Sequence, residues 1–358
     1  MNKDTIERLN QHLAFLMLEV ILGQDLDSNL NKARQWDKEV IIDDIDYGVM
    51  KLVPLYLQKL KELGHFSLHE KRFKVLHKYW WLKTLKNLDR LKEVILALSS
   101  KGKEVMLIKG IPVLSYYEGP VYRPMADLDI LVKKEEVFNC LSILEEMGWK
   151  CTDSFFLTNL QKAPSLCLDF KHSIELEHPE ERTKMDLHWK VGNYASWELT
   201  HHVWSRAQPS DEFQSAKIPE LSDLLCMGIL HSVDSESKHH YNWIVDIAKL
   251  YPHLTGEIWE ASRNLAISEQ KQNWFDYGCF LLNRFGINTP FESKVTEPPI
   301  SRLKKKEFGS KFNIPRYFWK KTENNLIILS INFPHDQGFQ KIHRLIRRLA
   351  YFKLNRAG

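Results

Sequence analysis

The stretch Arg123-Pro-Met-Ala-Asp127-Leu-Asp129-Ile-Leu-Val132, RPMADLDILV, sets two carboxylates two residues apart where the chain runs into an apolar segment. In an extended strand successive side chains alternate faces, so Asp127 and Asp129 point one way and Leu128, Ile130 and Val132 the other. Two neighbouring like charges repel; without a positive partner one keeps its proton or the strand loses stability. A divalent cation is the obvious partner. The plain alternative is an edge strand carrying two solvated aspartates.

Asp-x-Asp alone decides nothing, because the chain contains it three times, at Asp25/Asp27, Asp44/Asp46 and Asp127/Asp129. The first two lie among helical patterns, where aspartates at helix starts satisfy free backbone N–H groups, and capping is the expectation for both. Only the third follows the order strand, Lys109-Gly110, short helix, strand. A helix start opened by Gly110 offers amides to a phosphate, and Lys109 adds a positive charge. Mg²⁺ takes hard oxygen ligands, commonly one or two carboxylates with substrate phosphates, so two aspartates facing such a cradle form half of a metal–phosphate site.

A third acid is sought on the neighbouring strands. In KMDLHWKV, Asp186, His188 and Lys190 share one face while Met185, Leu187, Trp189 and Val191 share the other. Asp186 is the choice, with Asp169, Glu175 and Glu177 as rivals. Asp186 or His188 would serve as the base for an acceptor hydroxyl; for His188 the competing expectation is a histidine on the sheet surface.

The surrounding pattern gives an α+β organisation. Residues 1–100 read as a helical module, with Ile6, Leu9, Leu13, Leu16 and Val20 at steps of three and four, and a later helix through Trp81, Leu88 and Leu98 that ends near Gly102. Residues 101–215 read as the sheet core, with strands at 104–108, 128–132, 166–170, 174–177 and 185–191, a short helix to about Tyr117 and an amphipathic helix over 133–148. Residues 216–300 return to helix, at 221–233, 243–250 and 266–284. Residues 301–358 form a basic tail ending in an amphipathic helix with Ile342, Leu345, Ile346, Leu349 and Phe352 on one face.

Composition sets the bounds. The chain has 358 residues, 44% hydrophobic and 27% charged, which is globular rather than disordered. No stretch reaches the roughly 20 apolar residues of a membrane helix, and no charged-then-apolar leader is visible, so a cytoplasmic location is the expectation. Five scattered cysteines form no Cys-x-x-Cys pair and read as reduced core residues. The tail holds 14 Lys/Arg against three Asp/Glu, +11 within a chain of net +4, which leaves −7 on the first 300 residues. That tail, with Phe312, Tyr317, Phe318 and Trp319, suits a polyanion such as nucleic acid, an anionic membrane face or docking on the acidic body. His231 with His239 and His240 lacks the ligand spacing of a zinc site, and Asp246 in WIVDIAKL either orients a cationic group or substrate or, as a lone acid on an amphipathic helix, is structural, the second being the expectation.

At these residues the chain resembles the uncharacterised nucleotidyltransferases, a branch of the polymerase-β-like nucleotidyltransferase superfamily. The matching pieces are LIKG at Leu107 to Gly110, RPMADLDILV, MDLHW at Met185 to Trp189 and, more loosely, LLCMGILH and WIVDIAKL. The resemblance implies a polymerase-β-like α+β core, a mixed sheet with flanking helices, between helical N- and C-terminal regions. It implies that Asp127, Asp129 and a third acid, Asp186, bind Mg²⁺ or Mn²⁺. Gly110 would face the triphosphate of an NTP such as ATP, with Lys109 or Arg123 sharing the phosphate contacts in place of the superfamily's usual Gly-Gly or Gly-Ser. The implied reaction moves an NMP group to an acceptor hydroxyl on a small molecule, a peptide or protein, or an RNA end. The alternative is a catalytically degenerate fold that binds nucleotide or nucleic acid.

Overall fold

The computed structural model describes residues 3–162, 164–234 and 241–291, so the basic tail and His239 and His240 lie outside the described residues. Four helices come first: α1 (Lys3–Leu22), α2 (Leu26–Glu39), α3 (Tyr47–Glu62) and α4 (Glu70–Ser100). The two early Asp-x-Asp pairs are where capping chemistry wants them. Asp25 accepts from the Ser28 N–H at the start of α2, and Asp46 accepts from the Val49 N–H at the start of α3. The last turn of α4 closes on Gly102 at φ +71°, a conformation open to glycine.

The sheet follows. Its strands are β1 (Val105–Leu107), β2 (Leu128–Leu131), β3 (Lys150–Cys151), β4 (Ser173–His178), β5 (Thr183–His188), β6 (Gln208–Pro209) and β7 (Ala216–Ile218). They lie in the order β3-β4-β5-β2-β1-β7-β6; β2/β5 and β1/β7 are parallel and the other pairs antiparallel. Between and after them run α5 (Val137–Glu146), α6 (Ser154–Lys162), α7 (Pro164–Phe170), α8 (Trp197–Arg206), α9 (Leu221–Asp234), α10 (Asn242–Leu250), α11 (Gly256–Ser268) and α12 (Gln272–Arg284). The seven-strand mixed sheet with flanking helices is the architecture the resemblance implied.

Strand alternation sorts the core into two layers. Val105 and Leu107 of β1, Leu128 and Ile130 of β2, and Met185 and Leu187 of β5 pack with the second half of α4 and with α5. Met106, Ile108 and Leu131 turn the other way, into a core shared by α1 to α3 and by α9, α10 and α12. Asp129 lies on that second face, so the apolar sets that bury the two sides of β2 aim its aspartate toward the N- and C-terminal helices. Truncating a fully buried side chain such as Ile130 costs roughly 2–5 kcal/mol.

Three expectations fail here. Residues 166–170 are the end of helix α7, not a strand; a short apolar run carries no period long enough to separate the two. The segment after Gly110 forms turns and a single 3₁₀ turn, Leu114–Tyr116, rather than a helix opened by glycine. The helix expected over 266–284 is broken between α11 and α12, where Gln270 takes φ +57°. Among the described residues no helix is long and apolar enough to cross a membrane.

Candidate functional site

The parallel pairing of β2 with β5 sets Asp129 opposite Asp186 and Leu131 opposite His188. The register does what a single strand cannot: it brings a third acid beside the Asp127/Asp129 pair. Asp129 is buried, at 7% exposure, whereas Asp186 keeps 26% of its side chain open. Asp127, just ahead of β2, opens onto the same cleft as Asp129.

Charge is unevenly compensated across these acids. Asp129 Oδ1 accepts from Lys109 Nζ at 2.5 Å and lies 3.0 Å from His188 Nε2. Burial pushes this carboxyl up, but Lys109 and His188 outweigh it and hold the group below the usual carboxylate range. An ionised carboxylate only accepts, so His188 carries its proton on Nε2 and donates it. His188 is fully buried, and burial together with Lys109 pushes its imidazole down, toward the neutral form. Asp186 is pushed up to about 7, first by burial and then by Asp129. Asp127 is also raised, by the protein crowded around it and by Asp129. Lys109 is therefore one cation set among three acids. Its ammonium is held protonated by Asp129 and Asp186 against the opposing effect of burial.

Opposite the acids, Gly110 has a different use from the one expected. A Cβ built there would stand 2.0 Å from Arg123 Nη2, so the missing side chain is the seat of the guanidinium. Arg123 donates from Nε to Asp246 Oδ1 and from Nη2 to Asp246 Oδ2, both at 2.8 Å, and the Tyr117 hydroxyl donates to Oδ1 at 2.7 Å. Asp246, read from the sequence as a structural acid, is thus the partner of a sequence-predicted site residue from α10. The 123-residue separation leaves no local signal for that pair.

The cleft holds about 390 Å³ and is lined by Lys51, Lys109, Gly110, Arg123, Asp127 and Asp129 among others. Lys51 of α3 was not singled out from the sequence, because it sits on an ordinary amphipathic helix far from the motifs. His231 also lines the cleft. None of the rivals for third acid is paired with Asp129 in the strand register. Asp169 is on α7, bound by Lys134 at 3.1 Å and Trp197 at 3.0 Å. Glu175 faces Asp186 across β4/β5 but is exposed and bound by Lys184 at 3.1 Å and Thr152 at 3.0 Å. Glu177 sits further along, opposite Lys184. Lys190 lies past the end of β5 and donates to the Asp169 carbonyl at 3.1 Å.

Asp129, Asp186 and His188 each offer one ligand atom, all within 4.8 Å of one another, the only such group able to hold a metal ion among the described residues. The family model described as an uncharacterised nucleotidyltransferase matches residues 49–285. The chain belongs to that family. No curated protein matches the chain. The matched nucleotidyltransferase region begins in the first turn of α3, ends just past α12, and takes in all seven strands and every residue of the site discussed above.

Proposed function

We propose that this cleft binds a nucleoside triphosphate with a divalent cation and transfers its nucleotidyl group to an acceptor hydroxyl. The observation that carries the reading is the register of Asp129 with Asp186, beside Asp127, at the edge of a cleft with cationic walls. The donor set suits a hard ion. Asp129 and Asp186 bring ligand atoms within 4.8 Å of one another, Asp127 stands outside that group on the same cleft, burial and then Asp129 raise both Asp127 and Asp186, and Asp129 Oδ2 is clear of the two bonds made by Oδ1. Asp127, Asp129 and Asp186 would hold Mg²⁺ or Mn²⁺, which supplies positive charge against the phosphate oxygens when bound.

The chain's own residues divide the remaining work. Lys51 and Arg123 flank the volume left for the triphosphate. Arg123 is fixed by Asp246 and Gly110, whereas Lys51 makes no carboxylate contact within 4.0 Å among the described residues. The acceptor oxygen bonds to the α-phosphorus as the bond from that phosphorus to the β-bridging oxygen breaks, and pyrophosphate leaves with that electron pair. The hydroxyl proton goes to Asp186, which is more open than the buried Asp129 beside it. His188 orients Asp129 from beneath; complete burial keeps it from substrate.

Calorimetric titration of each nucleoside triphosphate into the protein with Mn²⁺ tests this, beside Asp129→Asn. Micromolar binding that weakens at least tenfold in the variant is expected. Equal binding by both proteins would remove the acids from the site, and absence of binding to the intact chain would end the enzyme reading.

A further inference from the structure

The acids have a second rim, on the segment just ahead of them, where Asn87 and Thr84 of α4 bond Met125. Helix α4 crosses it from the β4/β5 turn, where Lys86 and Arg90 both bind Glu181, to α3. From Lys71 to Lys86 this helix carries six Lys/Arg and no acidic residue. Arg72, Tyr79, Lys83, Lys86 and Arg90 recur at helical spacing along one side, a stripe of about 27 Å at 1.5 Å per residue.

Where the stripe passes the acids it becomes aromatic. Tyr79 and Tyr47 are 49% and 42% exposed, and both rings pack on Trp80, at 5.2 and 5.3 Å between centroids. Lys83 stands over Tyr79 at 6.0 Å and Trp80 at 5.7 Å, has no carboxylate within 4.0 Å among the described residues, and acts electrostatically on Asp127, as Asp127 does on Tyr47. Both rings stay partly exposed beside Lys83 and next to the acid cluster while packing on Trp80. They fit a ligand with flat faces and regularly spaced negative charge.

We infer that this rim is an acceptor site for the 3′ end of a single-stranded nucleic acid, its last bases on Tyr47 and Tyr79 and its phosphates along Lys83 and the α4 stripe. The inference rests on the nucleotidyltransfer reading and names its acceptor. Charge complementarity chooses this occupant. A peptide or small polar acceptor leaves Lys83 unmatched; Arg72 and Lys86 hold exposed ion pairs to Asp43 and Glu181 that can exchange for phosphate, whereas Arg90, bidentate on Glu181, stays in place. The terminal 3′-hydroxyl then lies on the Asp127/Asp186 side of the cleft, opposite the triphosphate.

Photo-crosslinking of the full chain decides the matter, using 12-nucleotide RNA and DNA strands with 4-thiouracil as the penultimate 3′ base. Crosslinks within residues 47–51 and 79–86 are expected. Tyr79→Ala/Lys83→Gln should weaken strand binding about 10- to 100-fold, and Lys83→Gln alone should lower the salt slope by about one, with triphosphate affinity unchanged within twofold in both. The RNA and DNA arms show which strand is preferred. Crosslinks confined to 301–358, unchanged affinity in both variants, or label transfer only to a peptide or small molecule would each overturn the inference. Triphosphate binding without strand binding sinks this acceptor alone; strand crosslinking to α4 without triphosphate binding sinks the transfer reading instead.

Discussion

Lys109 reaches Asp129 Oδ1 from a backbone held at φ +57°, a left-handed conformation that costs a non-glycine residue on the order of 1 kcal/mol. Glycine would take that conformation freely, so the side chain stands there for its charge. Replacing it with methionine keeps the length and removes the cation, leaving Asp129 buried with only a neutral imidazole. Lys109→Met should lose about 3–5 kcal/mol in urea unfolding with chelator present. Added Mg²⁺ or Mn²⁺ should return much of that loss, since a divalent ion replaces the missing charge. A deficit equal with and without metal would show that the three acids do not gather one.

The pH dependence of metal-free stability separates Asp186 from its neighbours. Its folded pKa, about 7, lies above the ordinary carboxylate value, so between about pH 4 and 7 the folded chain holds a proton the unfolded chain releases. Its contribution therefore falls as pH rises through that window. The half-buried His172 and the buried His188 are shifted down and act in the opposite sense near pH 6, so the wild-type curve alone is a mixture. Asp186→Asn removes only the first. The variant's melting temperature, measured with chelator, should gain on wild type from pH 5 to pH 8; a constant difference would deny the raised pKa.

Part of this geometry is legible in the sequence alone. Alternation placed Asp127 and Asp129 on one face, and the same argument offered Asp186, because a period of two survives in a single strand. What escaped has physical reasons. Whether Asp186 or Glu175 meets Asp129 depends on strand order, which no local pattern encodes. Arg123 and Asp246 pair across 123 residues, and the burial of His188 beside Asp129 depends on what packs over that face of the sheet, His172 among it. The break before α12 falls at Gln270, which adopts the left-handed turn without the glycine that usually marks one. Strands β6 and β7 are too short to alternate, and Pro209 spoils the pattern further.

His188 acts through Asp129, and its replacements should show it. His188→Ala leaves a cavity and removes one of two donors to Oδ1, so metal affinity should drop about 10- to 100-fold. His188→Gln, which retains a donor at similar reach, should recover part of it. Neither change should move the pH profile of transfer, because this imidazole stays neutral and buried. A profile that loses a limb in His188→Gln would make His188 the base instead of Asp186. Mn²⁺ titration and the pH profile of label transfer provide the two readouts.

Arg123 is held by two devices, and they should fail in related ways. In Gly110→Ala the new Cβ meets the guanidinium at 2.0 Å, and a planar group locked by two bonds to Asp246 has no small adjustment that clears it. The expected cost is about 1–3 kcal/mol of stability and roughly tenfold in triphosphate Kd, the loss of one charge-assisted contact. Asp246→Ala frees the same guanidinium from the other side, at about 3–5 kcal/mol because a buried charge loses its partner. Both act by displacing one group, so the double variant should bind triphosphate no worse than the weaker single one, a coupling of 0.5 kcal/mol or more. Additive losses would mean that Gly110 and Asp246 serve the cleft independently. An unchanged Kd in all three would take Arg123 out of phosphate binding and leave its pair with Asp246 as a strut between the sheet and α10.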